Sequence, residues 1–489
     1  MRFRLVILLP VLFACGCAVG PDYERPEIDA PADYLQTIDE GGSIANLAWW
    51  QLFRDDELQT LITLALEQNK DLATAAARVE EARAQYGFVR ADLYPQINGQ
   101  ASASRGDIAP LILPGAGVAE TYVLAAGLSW EIDLFGKLRR SNQAARAELL
   151  STEQAKNAVI ITLVADVASA YLLLRDLDAR REIARQRQQA RLDALVIIQA
   201  RFDQGTVPLL DVNQAQIEEV DAAVVVVALE RQIIQTENLL SILLGRNPTP
   251  ITRGVSLTDQ VFPAGVPAGL PSELLQRRPD ILAAEQQLAA QTARIGVAQA
   301  LRWPSFSLTG LLGVGSNDLS DLNSSDSKIW NIGGDLLLPI FTGGRNKQRV
   351  EIERARTEQA LRQYELAILQ ALREVDDSLA AIRTYRQEAA HRRRQVTAAR
   401  SARKLAWARY TGGVSSYLEV LETDRALFTA ELAASETYRQ KLVAIVQLYR
   451  ALGGGWDNGG TTPVTTSVPG SAPVSAPANG TSQDSGATP

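Results

Sequence analysis

Two stretches of this chain, Lys137 to Gln204 and Arg345 to Thr411, contain neither glycine nor proline. Nothing in such a run stops a helix, and at 1.5 Å per residue each would extend on the order of 100 Å as one helix. That is many times the length of an ordinary globular helix. Gly205 closes the first run and Gly412-Gly413 the second, after which Val207-Pro208 and Ser415-Ser416 open further helices of roughly 35–40 residues.

The two runs are copies of one plan. Shifted by 209, Asp71, Gly87, Ala91 and Pro95 fall on Asp280, Gly296, Ala300 and Pro304. Shifted by 208, Arg201-Phe202 and Gly205 fall on Arg409-Tyr410 and Gly413, Leu210-Asp211-Val212 on Leu418-Glu419-Val420, and Leu244-Gly245 on Leu452-Gly453. The chain is a tandem duplication whose period is far longer than that of a solenoid unit. Each half opens with a helix, 56–92 and 271–302, that ends at Tyr94-Pro95 or Trp303-Pro304.

Between opening helix and long run the period changes to two. From Gln96 to Ser104 the even positions are polar and the odd ones apolar or small. From Tyr122 to Leu134 the even positions read Tyr, Leu, Ala, Leu, Trp, Ile, Leu. Phe306, Leu308, Leu312 and Val314 repeat the alternation, as do Trp330, Ile332, Leu336, Leu338 and Ile340. These patterns predict strands at about 95–105, 121–134, 304–314 and 329–341, each with one apolar and one polar face, as in a membrane barrel or a half-wet soluble sheet. Four strands cannot close a barrel, and an open edge in lipid leaves backbone groups unpaired. If the strands lie in a membrane, copies of the chain must pool them.

Composition narrows the function. Lys+Arg 49 against Asp+Glu 56 gives net charge −7, which offers no electrostatic case for nucleic acid. A single His, His391 in a polar run, leaves little for metal ligation or acid–base chemistry. P-loop, dinucleotide and Gly-x-Ser-x-Gly motifs are missing, so no catalytic site and no cofactor are expected. After the N-terminus no uninterrupted apolar run reaches about 18 residues, so no membrane helix is expected. Trp49-Trp50 read as core anchors, Arg392-Arg393-Arg394 as a solvated helix face or a contact for a partner protein, and Trp130 and Trp330 as belonging either to an interfacial belt or to packing at mid-helix.

At the N-terminus Arg2 and Arg4 precede the apolar Leu5 to Ala14, and the only two cysteines follow, Cys15 and Cys17. The pattern is a signal peptide. A bond between cysteines two apart would be strained, which rules out a disulfide framework. The stretch resembles a bacterial lipoprotein signal, in which the cysteine after a small residue is acylated and becomes residue one. Gly16 before Cys17 suits that step; Leu12-Phe13-Ala14 before Cys15 fits it loosely, and cleavage without lipid is the alternative.

Cys17-Ala-Val-Gly-Pro-Asp-Tyr-Glu-Arg-Pro, Trp49-Trp50-Gln51-Leu52-Phe53, Arg277-Arg278-Pro279-Asp280-Ile281 with Ala283-Ala284-Glu285, and Trp303-Pro304 leading into Leu308-Thr309-Gly310 resemble the lipoprotein branch of the TolC-like outer-membrane efflux factors. The resemblance runs from Cys17 to about Trp456. It implies a mainly α protein with a membrane β part: a homotrimeric α-barrel tunnel topped by a 12-stranded β-barrel, anchored in outer-membrane lipid and reaching into the periplasm. The protein would be no enzyme but the exit duct of a tripartite efflux system, with a periplasmic adaptor and an inner-membrane transporter as partners and no nucleic acid. The family's periplasmic gate maps onto Tyr417 to Arg425, with Leu418 at a constriction, Glu419 and Glu422 in a carboxylate ring, Arg425 holding neighbouring helices, and Asp211 as the repeat partner of Glu419. Glu419 and Glu422 are three apart and share a helix face, so threefold copying would bring six carboxylates toward one axis.

The chain then divides into a signal peptide (1–16), a lipid-anchored extension (17–55), a first repeat (56–245, long helix about 137–203), a linker (246–270), a second repeat (271–453, long helix about 344–410) and a disordered Gly/Ser/Thr/Pro-rich tail (457–489). Two other readings stay open: an outer-membrane duct for protein secretion, and a lipid-anchored periplasmic coiled-coil adaptor whose strands form a soluble sheet.

Overall fold

The computed structural model describes residues 18–28, 31, 33–36, 52–106, 119–260, 262 and 271–454. Cys15, Cys17, Trp49-Trp50 and the tail from residue 457 lie outside the described residues. The first repeat comprises α1 (Asp56–Gln68), α2 (Lys70–Ala91), β1 (Gln96–Gly106), β2 (Ala119–Ile132), α3 (Lys137–Asp203) and α4 (Leu209–Leu243). The second comprises α5 (Pro271–Arg277), α6 (Pro279–Ala300), β3 (Ser305–Ser316), β4 (Lys328–Leu337), α7 (Arg345–Thr411) and α8 (Tyr417–Ala451). The long helices α3 and α7 are each 67 residues and start after glycines in the left-handed region, Gly136 and Gly344.

The opening helix of each repeat is broken, where the sequence reading had it continuous. The breaks fall on repeat-related residues, Asn69 (φ −59, ψ 133) and Arg278 (φ −71, ψ 119). Their side chains explain them. Asn69 Nδ2 donates to the Leu243 carbonyl at 2.8 Å and Arg278 Nη1 to the Ala451 carbonyl at 3.0 Å, acceptors that the C-termini of α4 and α8 leave unpaired. The chain turns aside at Gly245 (φ 68), where a Cβ would stand 2.0 Å from the Gln68 carbonyl oxygen, so no larger residue fits without a backbone shift. The short helices thereby meet end to end beside the long ones. Asp55 caps α1 through the Glu57 and Leu58 amides and also accepts from Tyr171 Oη at 3.1 Å and Gln260 Nε2 at 2.6 Å.

The main core sits at these junctions, halfway along the long helices, around Tyr171, Leu172, Leu174, Tyr364, Leu240 and Leu244. An 18-residue window of α3 reaches a mean hydropathy of 1.9, apolar enough by composition to cross a membrane, but 56% of it is buried within the protein. It serves as a core helix.

Residues 18–25 strap the start of α3. Val19 N donates to the Phe135 carbonyl at 3.1 Å, and the buried Arg140 donates to the Val19 carbonyl (3.2 Å), the Gly20 carbonyl (3.1 Å) and Asp22 (2.7 Å). Arg25 and Tyr23 both reach Glu285 on α6.

The strands form one antiparallel sheet in the order β1-β2-β3-β4. Its register gathers most of the large apolar side chains on one face, with Leu124 opposite Val314, Ala126 opposite Leu312, and Leu312 opposite Trp330, while Val123, Leu311, Ile329 and Leu337 fall on the other. The first face is bare: Ile97, Leu124, Leu312, Trp330, Ile332 and Leu336 are all exposed. Trp130 lies at the helix end of the sheet, where its Nε1 donates to the Leu93 carbonyl at 3.2 Å, and Trp330 lies near the loop end, so neither belongs to the mid-helix packing. β4 stops at Leu337, short of the expected residue 341, because β3 begins at Ser305 and offers no partner beyond it, and Pro339 lacks an N–H.

Candidate functional site: the ionic network at the helical turns

At the end of the long helices remote from the sheet, each repeat turns back through Gly205 (φ 73) or Gly413 (φ 73). A small apolar cluster holds the turns together: Ile198, Val212, Ala215, Ala406, Tyr410, Tyr417, Val420 and Leu421. Just above it lies a group of buried charges that sequence reading did not single out. Asp424 of α8 is 7% exposed and meets three arginines: Arg187 and Arg191 of α3 and Arg403 of α7. Arg191 Nη2 stands 3.1 Å from Asp424 Oδ2 and Arg403 Nε 2.7 Å from Oδ1. Glu218 of α4, also buried, pairs with Arg191 and accepts from Arg425 Nε of α8 at 2.6 Å. Two carboxylates and four guanidiniums thus tie all four helix ends together.

Burial lowers Arg187 and Arg191 from the ordinary guanidinium value although Asp424 pulls the other way. Burial, and then the charge of Asp424, raises the Tyr417 phenol to about 12. Desolvating such charges costs several kcal/mol per ion, so the network adds little net stability, whereas removing one partner costs about 3–5 kcal/mol. A cavity of ≈ 20 Å³ lined by Arg191, Glu218, Arg403, Tyr417 and Asp424 has room for about one water.

The expected gate residues occupy the rim of this network. Leu418 is exposed. Glu419 pairs across the α7–α8 turn with Arg409, Nε to Oε1 at 3.0 Å. Glu422 is 65% exposed at its side chain and stands 3.7 Å from Arg425. Asp211 is half-buried, which raises its carboxyl above the usual range. Each of the two glutamates therefore carries its own arginine instead of standing unopposed. Asp424 carries a signal that sequence reading can use: it falls seven residues after Tyr417 and three before Leu427, on the buried face of α8, where an acid needs a partner. The partners themselves, 237 residues away in the case of Arg187, gave no local sign.

The network belongs to one repeat contact only. Moved by the repeat shift of 208, Arg187, Arg191, Glu218 and Arg403 become Gln395, Ala399, Ala426 and Leu195, while Asp424 and Arg425 fall on Gln216 and Ile217. The related positions carry no charge. On α4 the exposed Ile217, Val220, Val224 and Val227 instead form an apolar stripe at helical spacing.

Comparison with known proteins fits this architecture. The family model described as "Outer membrane efflux protein" matches residues 61–246 and 270–454, one match per repeat. The chain belongs to the outer membrane efflux protein family. The cation efflux system protein CusC of Escherichia coli O6:H1 is 33% identical over 465 residues, covering 93% of this chain and 99% of CusC. The toluene efflux pump outer membrane protein TtgI of Pseudomonas putida is 34% identical over 466 residues, covering 93% and 99%. The open-state MtrE outer membrane channel of Neisseria gonorrhoeae superposes with a TM-score of 0.82 at 32% identity, covering 90% of this chain and 98% of MtrE. As a member of the family the protein is an outer-membrane efflux channel: its sheet lies in the outer membrane and its helices extend into the periplasm.

Proposed function

We propose that three copies of this chain form the exit duct of a tripartite pump, passing small toxic compounds across the periplasm and outer membrane. The observation that carries this reading is the sheet, which is apolar and bare on one face, more polar on the other, and open at both edges. Three such sheets give twelve strands, enough to close a barrel that four cannot. In this reading Cys17 carries lipid; it directly precedes Ala18, which packs on Gly136 at the junction of sheet and helices. Leu418, Glu419, Glu422 and Asp211 line the narrow periplasmic end, and the Asp424 network latches it, with Arg425 tying α8 to α4.

Exposed Leu209, Leu210 and Val414 at the two turns suit docking of a periplasmic adaptor, fed by an inner-membrane transporter. A passive duct needs no catalytic step. Relatives named for cations and for toluene share nearly the whole chain, so cargo choice is assigned to the partners upstream.

The test is complementation. In a strain deprived of its own channel, expression of this protein should restore dye extrusion and resistance to toxic compounds only when an adaptor and transporter are co-expressed. Export of a folded or unfolded protein substrate without any gain in resistance would overturn the reading in favour of secretion.

A further inference from the structure

The edge strands β1 and β4 present unpaired N–H and C=O groups, which lipid does not tolerate. A slip of one residue would turn apolar side chains into the pore, but a slip of two keeps every face correct, so face alternation alone leaves the register between copies open. The internal repeat closes it. β1 maps onto β3 by a shift of 209, since Pro95 falls on Pro304, and β2 onto β4 by 208, since Gly136 falls on Gly344. Applied to the β1–β2 pair Gln96 with Ser129, these shifts give Ser305 with Leu337, which is the pair found between β3 and β4. The transformation therefore reproduces a register independent of the residues that define it.

The same transformation applied to the β2–β3 contact gives the contact between β4 and β1 of a second copy. Leu128 with Gly310 becomes Leu336 with Ala101; Trp130 with Leu308 becomes Leu338 with Gly99; Gly127 with Leu311 becomes Asp335 with Ser102. We propose that the barrel closes in this register, β4 of one copy antiparallel to β1 of the next, with Leu336 opposite Ala101. The inference rests on the trimeric reading above and adds the residue pairing. It sets small residues of β1 (Gly99, Ala101) against the large Leu338, just past the end of β4, and Leu336 of β4 on the apolar face, and a hydroxyl donor, Ser102, against the Asp335 carboxylate on the opposite face. Leu338, Pro339 and Ile340, which have no strand partner within one chain, gain Gly99, Asn98 and Ile97. Ile340, 91% exposed in the single chain, is thereby given a neighbour.

Cysteine pairs test it, because no cysteine follows Cys17 in the sequence. Ala101→Cys with Leu336→Cys and Ser102→Cys with Asp335→Cys both probe the proposed register; being adjacent, one of them is the non-hydrogen-bonded kind of pair, whose side chains approach more closely. Gly99→Cys with Leu336→Cys and Ala103→Cys with Leu336→Cys probe the two slipped registers. A slip of two moves the partners to about 7 Å, beyond disulfide reach, so oxidation of membranes should link subunits about tenfold more in the better matched pair than in either slipped pair. A slipped pair that links as well as the matched pairs would overturn the register. Failure of all four in a particle that sizes as a trimer would overturn the β4–β1 contact itself, whereas a detergent-solubilised particle that is not a trimer would defeat the underlying reading instead.

Discussion

Asp424 of α8 lies 3.1 Å from Arg191 of α3, an ion pair that joins the two repeats at the end of the molecule remote from the sheet. It is buried and shared with Arg187 and Arg403, and in the proposed duct it latches helices that would have to separate for the narrow end to widen. Asp424→Asn is expected to raise resting conductance several-fold in planar-bilayer recordings and to lower stability, by up to about 3–5 kcal/mol if the arginines stay buried without a counter-charge. Unchanged conductance in a variant that assembles normally would remove Asp424 from the gate.

Glu419 and Glu422 should behave differently, because both lie at the exposed rim and each has a single arginine neighbour. Replacing both with Gln is expected to reduce cation selectivity and block by multivalent cations, with little change in stability, since exposed pairs are worth about 0–1 kcal/mol. Equal changes in the Glu431→Gln control would show that the effect is one of net charge alone.

A second buried acid predicts a pH response. Asp176 of α3 accepts from Ser435 and lies 3.6 Å from Arg180 and 3.8 Å from Arg439, yet burial pushes its carboxyl up to about 6. Its neighbour Glu436 is held down to about 2: burial opposes its charge, but hydrogen bonds from Arg439 and Gln440 outweigh that. A raised carboxyl favours the fold fully below its unfolded value near 4, and that contribution fades as pH rises through about 6, by at most about 3 kcal/mol. In Asp176→Asn, melting temperature relative to the parent protein should therefore climb between about pH 4 and 6. A flat difference curve would show that burial does not raise the Asp176 carboxyl.

The N-terminus yields to mass spectrometry. Purified from membranes, the mature protein is expected to begin at an acylated Cys17, and any other first residue would refute the lipid anchor. Replacing Cys17 should weaken membrane residence without abolishing it, because the pooled strands also hold the particle.

Loop topology is open to labelling. Ser324, exposed between β3 and β4, should react as Ser324→Cys with an impermeant thiol reagent on intact cells, since long loops of outer-membrane barrels face outward. Reaction only after the outer membrane is broken would reverse the orientation.

What the sequence determined by itself is what depends on near neighbours along the chain. Uninterrupted helix formers made α3 and α7 long, glycines ended them, and alternation of the larger apolar residues named the apolar face of the strands, because helix and strand periods are local properties. The duplication was legible for the same reason. Tertiary structure decided the rest. Asn69 and Arg278 break helices that their own sequences would continue, because each has a carbonyl to satisfy at the end of a helix some 170 residues on, Leu243 for one and Ala451 for the other. At the turns, Glu419 and Asp424 are acids five positions apart on one helix, and only the packing of α3 against α8 leaves one partly exposed at the rim and buries the other. Burial of a charge is set by what stands opposite it, and two of the three arginines opposite Asp424 come from the other repeat.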